Sequence, residues 1–227
     1  MGIILNLETS STNCSVCLAK DGVILAMKEL NSENYSHAEK LHVFIEEVMM
    51  EATLKMADLE AIAVSKGPGS YTGLRIGVSA AKGLCYALGV PLISISTLKS
   101  MASQLKGINK DDVIIPVLDA RRMEVYSAVF DNHLNQVRET RAEIIDERSF
   151  EAYIGSTSVH FLGSGAEKIK GIFNSENLTF HLDVVPSAKE MTLISFDKFK
   201  NKDFEDVAYF EPYYLKDFVL QTKKGKK

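Results

Sequence analysis

Two acidic residues stand where an α/β protein could hold a metal and a nucleotide. Glu8 closes the apolar run Ile3 to Leu7, and Asp119 closes the apolar run Val113 to Leu118, each just before a polar turn. Carboxylates at such strand ends can hold a hydrated magnesium ion and, through it, phosphates, because a hard cation takes oxygen ligands. The supporting parts are thin. The turn Thr9-Ser10-Ser11-Thr12 has no glycine to bring backbone amides close to a phosphate, and the chain has no G-x-x-x-x-G-K-[ST] loop. Hydrogen bonding within turns explains both acids without catalysis, so degenerate or structural carboxylates are expected ahead of catalytic ones.

A second constellation is Gly67-Pro68-Gly69-Ser70-Tyr71-Thr72-Gly73-Leu74-Arg75. It leads from a strand into a helix, so backbone amides and the positive helix end face one spot, with Arg75 one turn in. Gly67, Gly69, Ser70 and Arg75 can therefore form an anion site, together with Glu8 and Asp119 a degenerate nucleotide site, or simply a tight turn that needs glycine. His37 and His42 are five residues apart and cannot share a metal as an i, i+4 pair would, so a surface or capping place is expected for His37. Cys14 and Cys17 spell C-x-x-C within a strand, where residues three apart face opposite sides, and read as packed thiols. Arg121-Arg122 and the tail Lys223 to Lys227 could touch phosphate but such basics are usually solvated, and Gly163-Ser164-Gly165 could cradle a nucleotide or be only a turn.

The elements that position these residues follow an α/β order. Three strands linked by hairpins, the second hairpin at Asp21-Gly22, precede a helix over 37–54 with Ser36 and Glu39 at capping-box spacing. A strand over 61–64, a helix over 73–88 ended by Gly89 and Pro91, and a strand over 92–95 complete the first half. The run Val113 to Leu118, its acidic turn and Glu124 to Phe130 begin the series again, which suggests a duplication. The division expected is 1–100 as one lobe and 101–227 as a smaller one ending in the basic tail.

The helix stripes point outward as well as inward. Leu41, Phe44, Ile45, Val48, Met49 and Ala52 share a face suited to a sheet, while Val43, Met50 and Leu54 lie opposite and suggest a second packing partner. Gly73, Gly77, Ala80, Ala81 and Leu84 form a small-residue track that allows another helix close approach. An intersubunit helix bundle is preferred to these two helices merely packing on each other.

A length of 227 residues with 46% hydrophobic and 25% charged residues is ordinary for one large domain or two lobes. The net charge of -4 argues against a free-standing nucleic-acid binder, so any RNA contact should be local or shared with a partner. No apolar run approaches the roughly 20 residues that span a bilayer, no signal-like leader opens the chain, and the odd cysteine count suits a reducing compartment; a cytoplasmic protein without membrane contact is expected.

The run Ile3 to Ser10 with Cys14-Ser15-Val16, then Tyr35-Ser36-His37, then Gly67 to Arg75 with Ile76-Gly77, resembles the TsaB (YeaZ, glycoprotease-like) family in order and spacing. Asp119-Ala120-Arg121, Glu124-Val125-Tyr126, Pro186-Ser187-Ala188 and Pro212-Tyr213-Tyr214-Leu215 extend the likeness over nearly the whole chain. The resemblance implies two related lobes of the actin-like, Hsp70-like (ribonuclease H-like) ATPase architecture. It implies a non-catalytic subunit of the complex that transfers threonylcarbamoyl to adenosine of tRNA, with a TsaD-like catalytic paralogue and a TsaE-like ATPase as partners. A homodimer in isolation, tRNA contact through the complex, no cofactor of its own, and ATP or ADP at the interfaces of the complex complete that expectation. Glu8 stands where many relatives have Asp, and the H-x-x-x-H motif of the catalytic paralogue is absent. The rival readings are a small ATP-dependent kinase or ATPase using Glu8 and Asp119, and, more weakly, a glycopeptidase-like metalloenzyme.

Overall fold

A computed structural model describes residues 2–32, 36–155, 157–173 and 175–215. Tyr35 and the tail Lys223 to Lys227 lie outside the described residues.

The first sheet contains β1 (Ile3–Glu8), β2 (Asn13–Lys20), β3 (Val23–Asn31), β4 (Ala61–Gly67) and β5 (Leu92–Ser96), in the order β3-β2-β1-β4-β5. β1, β2 and β3 pair antiparallel, while β4 and β5 join β1 in parallel. Asp21 and Gly22 both take positive φ, 52° and 82°, as a two-residue hairpin demands. The second sheet contains β6 (Val113–Asp119), β7 (Glu124–Phe130), β8 (Gln136–Ile144), β9 (Val159–Leu162) and β10 (Leu178–His181), in the order β10-β9-β6-β7-β8. Its pairings repeat those of the first sheet strand for strand, antiparallel through β8 and parallel through β10. The duplication that the sequence only suggests is thus visible in the topology.

Among the described residues five α-helices dress the sheets: α1 (His37–Glu51), α2 (Tyr71–Leu88), α3 (Thr97–Ala102), α4 (Ala166–Ile169) and α5 (Ala188–Lys200). α1 and α2 cover one face of the first sheet, where Leu41, Ile45, Val48 and Val78 pack on Leu5, Leu7, Val16 and Ile62. α2 begins at a Ser70 hydroxyl that accepts from the Gly73 amide at 3.3 Å and ends at Gly89 in the left-handed conformation, φ 67°. α1 differs from expectation at both ends. It stops at Glu51, and Ser36 makes no side-chain cap, because its backbone sits at φ −105°, ψ 12° rather than in the extended region from which a cap oxygen reaches inward.

The chain exchanges helices between lobes. α3 follows β5 yet packs Leu98, Met101 and Ala102 on Ile114, Leu118, Phe130 and Leu162 of the second sheet. α5 follows β10 yet packs Ala188 and Met191 on Ile4, Cys17, Ala61 and Ile93 of the first. The expected cut at residue 100 therefore needs amending: it divides α3, and it separates α5 from the sheet that α5 covers. Cys14 belongs to the α1/α2 side and Cys17 to the α5 side of the first sheet. Burial pushes the Cys14 thiol up to about 11 and the Cys17 and Cys85 thiols up to about 12, which keeps all three protonated and inert.

After α5 the chain returns along α2. Lys82 donates to the carbonyls of Ala208 at 3.1 Å and Phe210 at 2.9 Å, and the Tyr213 amide donates to the Lys66 carbonyl at 2.7 Å. Pro212 to Leu215 ends beside the start of α2, with the Tyr214 and Tyr71 rings 4.9 Å apart. No helix among the described residues is long and apolar enough to cross a membrane.

Candidate functional site

Glu8 and Asp119 occupy matching strand ends but opposite environments. Glu8 is fully buried; one oxygen accepts from the Ser10 amide at 2.6 Å and the Ser65 hydroxyl at 2.8 Å. Its other oxygen has no hydrogen-bond partner among the described residues. Burial pushes the carboxyl above its ordinary range, and the bonds from Ser10 and Ser65 offset only part of that. Asp119 is half-exposed; one oxygen accepts from the Arg121 amide at 2.6 Å and from Lys168 Nζ at 2.5 Å. Its backbone amide donates to Ser164 Oγ at 3.1 Å. The two acids have no hydrogen-bond partner in common, and no cluster of three or more metal-ligating side chains occurs among the described residues.

The Gly67 to Arg75 turn is filled by the chain itself. The Ser70 amide donates to the Ser10 carbonyl at 2.6 Å, so the turn after β1 sits against the amides that an anion would need. Thr9 Oγ1 donates to the Gly73 carbonyl at 2.8 Å. A side chain at Gly69 would lie 2.7 Å from Ser10 Cβ, and one at Gly73 would collide with the Thr9 carbonyl. Gly67 holds φ 107°, which only glycine takes without strain. Arg75 turns outward and donates to the Tyr71 hydroxyl at 3.0 Å. Gly163 and Gly165 likewise fit tightly, against Met101 and the Val117 carbonyl and against Val125. The Ser70 and Gly73 amides of the turn are thus engaged within the chain, and Asp119 is paired with Lys168.

His37 is a correction. It is 1% exposed, not a surface residue, and its Nε2 lies 2.8 Å from the Ser11 carbonyl, so it buttresses the same turn. Burial pushes its imidazole below the ordinary range, which keeps it neutral near pH 7.

The outer faces of α1 and α2 are built differently. Val43 and Met50 remain 44% and 72% exposed on the side of α1 away from the sheet, whereas Leu54 lies past the helix end and packs partly on the first core. The small-residue track on α2 splits into two faces. Gly73 and Gly77 face Thr9, and Ala81 is buried in the first core, so these three serve the chain's own packing rather than a partner. Ala80 and Leu84 do reach the outer side, where with Ala38, His42, Ile76 and Gly83 they line a groove of about 620 Å³ between α1 and α2. Sequence reasoning misses Ala38, Ile76 and Gly83. Their signal is the i, i+4, i+7 step Ile76, Ala80, Gly83, which runs beside the inward track and is hidden by it.

Comparison with known proteins places this geometry among relatives. A family model described as TsaD: tRNA N6-adenosine threonylcarbamoyltransferase matches residues 29–221. The chain is 30% identical over 229 residues to the tRNA threonylcarbamoyladenosine biosynthesis protein TsaB of Escherichia coli, covering 97% of each chain. YeaZ from Pseudomonas aeruginosa superposes with a TM-score of 0.80 at 22% identity, over 95% of this chain and 100% of that one. The ADPNP-bound activator of 2-hydroxyisocaproyl-CoA dehydratase from Clostridium difficile shares the fold at a TM-score of 0.52 and 12% identity, over 90% of this chain and 98% of that one.

Proposed function

Because the chain belongs to the TsaB family of tRNA threonylcarbamoyladenosine biosynthesis proteins, we propose that it acts as a non-catalytic scaffold subunit of the complex that places threonylcarbamoyl on adenosine of tRNA. Its partners in this reading are a TsaD-like catalytic paralogue and a TsaE-like ATPase, in the cytoplasm, with ATP or ADP held at interfaces of the complex. Alone, it pairs with itself.

One observation carries the reading: the outer side of α1 and α2 presents exposed Val43 and Met50 beside an apolar groove, while both acids that could serve catalysis are engaged within the chain. Burying a large apolar side chain contributes roughly 1.5–3 kcal/mol, so this face gains most from a helical partner. A homologous subunit presents a similar pair of helices, and two such pairs make a four-helix contact with closed symmetry or pseudosymmetry.

The test pairs assembly with turnover. Met50→Glu should leave the fold intact and cut association with itself and with the TsaD-like partner, read by light scattering and pull-down. Gly83→Leu should do the same, because a side chain there meets nothing within 4 Å in the single chain. Gly77→Leu cannot serve, since it would collide with Thr9. Normal assembly by both variants moves the interface elsewhere. Steady-state ATP turnover by the chain alone above about 1 s⁻¹, abolished by Glu8→Ala and by Asp119→Ala, would favour a small kinase or ATPase instead.

A further inference from the structure

A cleft of about 960 Å³ lies on the far side of the first sheet from the α1/α2 groove, where α3, α5, the ends of β4 and β5 and the β7–β8 turn meet. Four lysines from four separate places line it: Lys66 of β4, Lys99 of α3, Lys106 after α3, and Lys189 in the first turn of α5. None of the four makes a salt bridge or a side-chain hydrogen bond among the described residues. The other charges of the cleft are already matched: Lys198 pairs with Asp203 at 3.0 Å, and Asp197 with Lys200 at 2.8 Å. Glu190 remains, and burial pushes its carboxyl up against the pull of Lys189 and Lys106.

In a chain of net charge -4, four lysines on one concave surface, faced by the single unmatched carboxyl of Glu190, are a local concentration of positive potential. A concave wall of low dielectric strengthens that field toward an anionic ligand. Lysine ammonium groups act as point charges toward phosphate and read no base. No Phe, Tyr or Trp lines the cleft and His133 is the one aromatic ring in its lining, so it offers no run of rings on which successive nucleobases would stack. The lysines also arise from separate elements rather than from one phosphate-cradling loop, which suits a series of phosphates better than a single triphosphate.

We propose that this cleft holds the phosphate backbone of RNA, as the surface through which the subunit helps to seat tRNA. The inference rests on the assignment to tRNA modification and adds to it a surface opposite the helix-pairing face. That placement lets the chain hold a partner through α1 and α2 and an RNA strand through the cleft at once.

The experiment is a titration of unmodified tRNA into the full chain assembled with its TsaD-like partner, followed by fluorescence anisotropy at several salt concentrations. Each phosphate that the protein no longer neutralises should flatten the slope of log affinity against log salt by about 0.7–0.9. Changing Lys66, Lys99, Lys106 and Lys189 together to Gln should flatten it by about 3 and weaken binding at least tenfold at low salt, with circular dichroism unchanged. Should the combined variant fail to fold, Lys99→Gln and Lys189→Gln separately should each flatten the slope by about 0.8. Changing Lys40, Lys55, Lys110 and Lys170 to Gln, outside the cleft, should leave the slope as it was. An equal change in both sets overturns the proposal, as does an unchanged slope in the cleft set. Displacement of tRNA from the wild type by millimolar inorganic triphosphate is expected at low salt. Triphosphate binding that needs these lysines while tRNA binding does not would make the ligand a small polyphosphate, and also overturns it. If the wild-type chain does not assemble with the partner at all, the scaffold reading fails instead, and assembly is measured first to tell the two apart.

Discussion

Between β3 and β4 the first lobe inserts the 15-residue α1, and between β4 and β5 the 18-residue α2. At the matching places the second lobe has turns and the four-residue α4, although strand order and strand directions are the same. The second sheet covers that face with rings instead: Phe150, Phe161, Phe173 and Phe180 pack at centroid distances of 5.3–6.2 Å around Val117, Val125 and Ile169. A duplicated sheet therefore does not need duplicated helices, because aromatic side chains can close the same apolar face. What the second lobe gives up is an outer helical surface. Among the described residues a pair of long outer helices stands only on the first lobe, and the exchange of α3 and α5 ties the two lobes together so that neither sheet is left bare.

The turn after β1 is the sharpest point of difference, since it is packed under the 18-residue α2, while the turn after β6 is held by Lys168 of the four-residue α4. Gly73→Val should have the largest effect on stability, because the added side chain meets the Thr9 carbonyl backbone and His37 Cδ2 at 3.3 Å, neither of which can yield cheaply. A loss of about 3 kcal/mol or more, or failure to fold, is expected in urea melts. Arg75→Ala, on the exposed side of the same helix, should stay within about 0.5 kcal/mol of wild type. If the two variants melt alike, the turn and helix are not locked as their distances indicate.

Local signals are legible in the sequence and long-range ones are not. The Asp21-Gly22 hairpin, the Gly89 helix end and the opposite facing of Cys14 and Cys17 follow from backbone preference and strand period, which neighbouring residues alone decide. Gly73 and Gly77 read as a partner-facing track because periodicity gives the face of a helix and not what lies opposite; only the fold brings Thr9 there. Position in the chain assigns α5 to the second lobe, yet the Ala188 amide donates to Ser15 Oγ at 2.8 Å, a pairing across 173 residues. The capping box at Ser36 has the right residues and the wrong backbone angles. The lysine cleft gathers Lys66, Lys99, Lys106 and Lys189 from four places and so leaves no cluster in the sequence.

The matching acids offer a finer comparison. Glu8 is buried with its carboxyl pushed up, so the folded state holds its proton more tightly than the unfolded chain does. Its contribution to stability is fully present below the unfolded value of 4.5 and is lost as pH rises through the folded one. Glu8→Gln keeps an acceptor for the Ser10 amide and the Ser65 hydroxyl but removes the charge. The variant should therefore gain stability relative to wild type as pH rises from 4 toward 8, a gain that disappears on return to acid. Parallel thermal melts across that range check the sign; a gap that stays constant with pH would mean that the carboxyl ionises in the folded state as easily as in the unfolded one.

Removing the charge of Asp119 should cost a little stability rather than add it, and should have the smallest effect. Its side chain is 44% exposed, and its partner Lys168 also donates to the carbonyls of Arg122 and Glu124, so the ammonium stays held when the carboxylate is gone. A half-exposed ion pair of this kind contributes about 0–1 kcal/mol and weakens as salt screens it. Asp119→Asn retains an oxygen for the Arg121 amide, so only the ionic part is removed. Urea melts in low and high salt should show a loss below about 1 kcal/mol that shrinks further in high salt. A loss above about 2 kcal/mol that ignores salt would mean that the Asp119–Lys168 pair acts as a buried pair does, contrary to the exposure of its carboxylate.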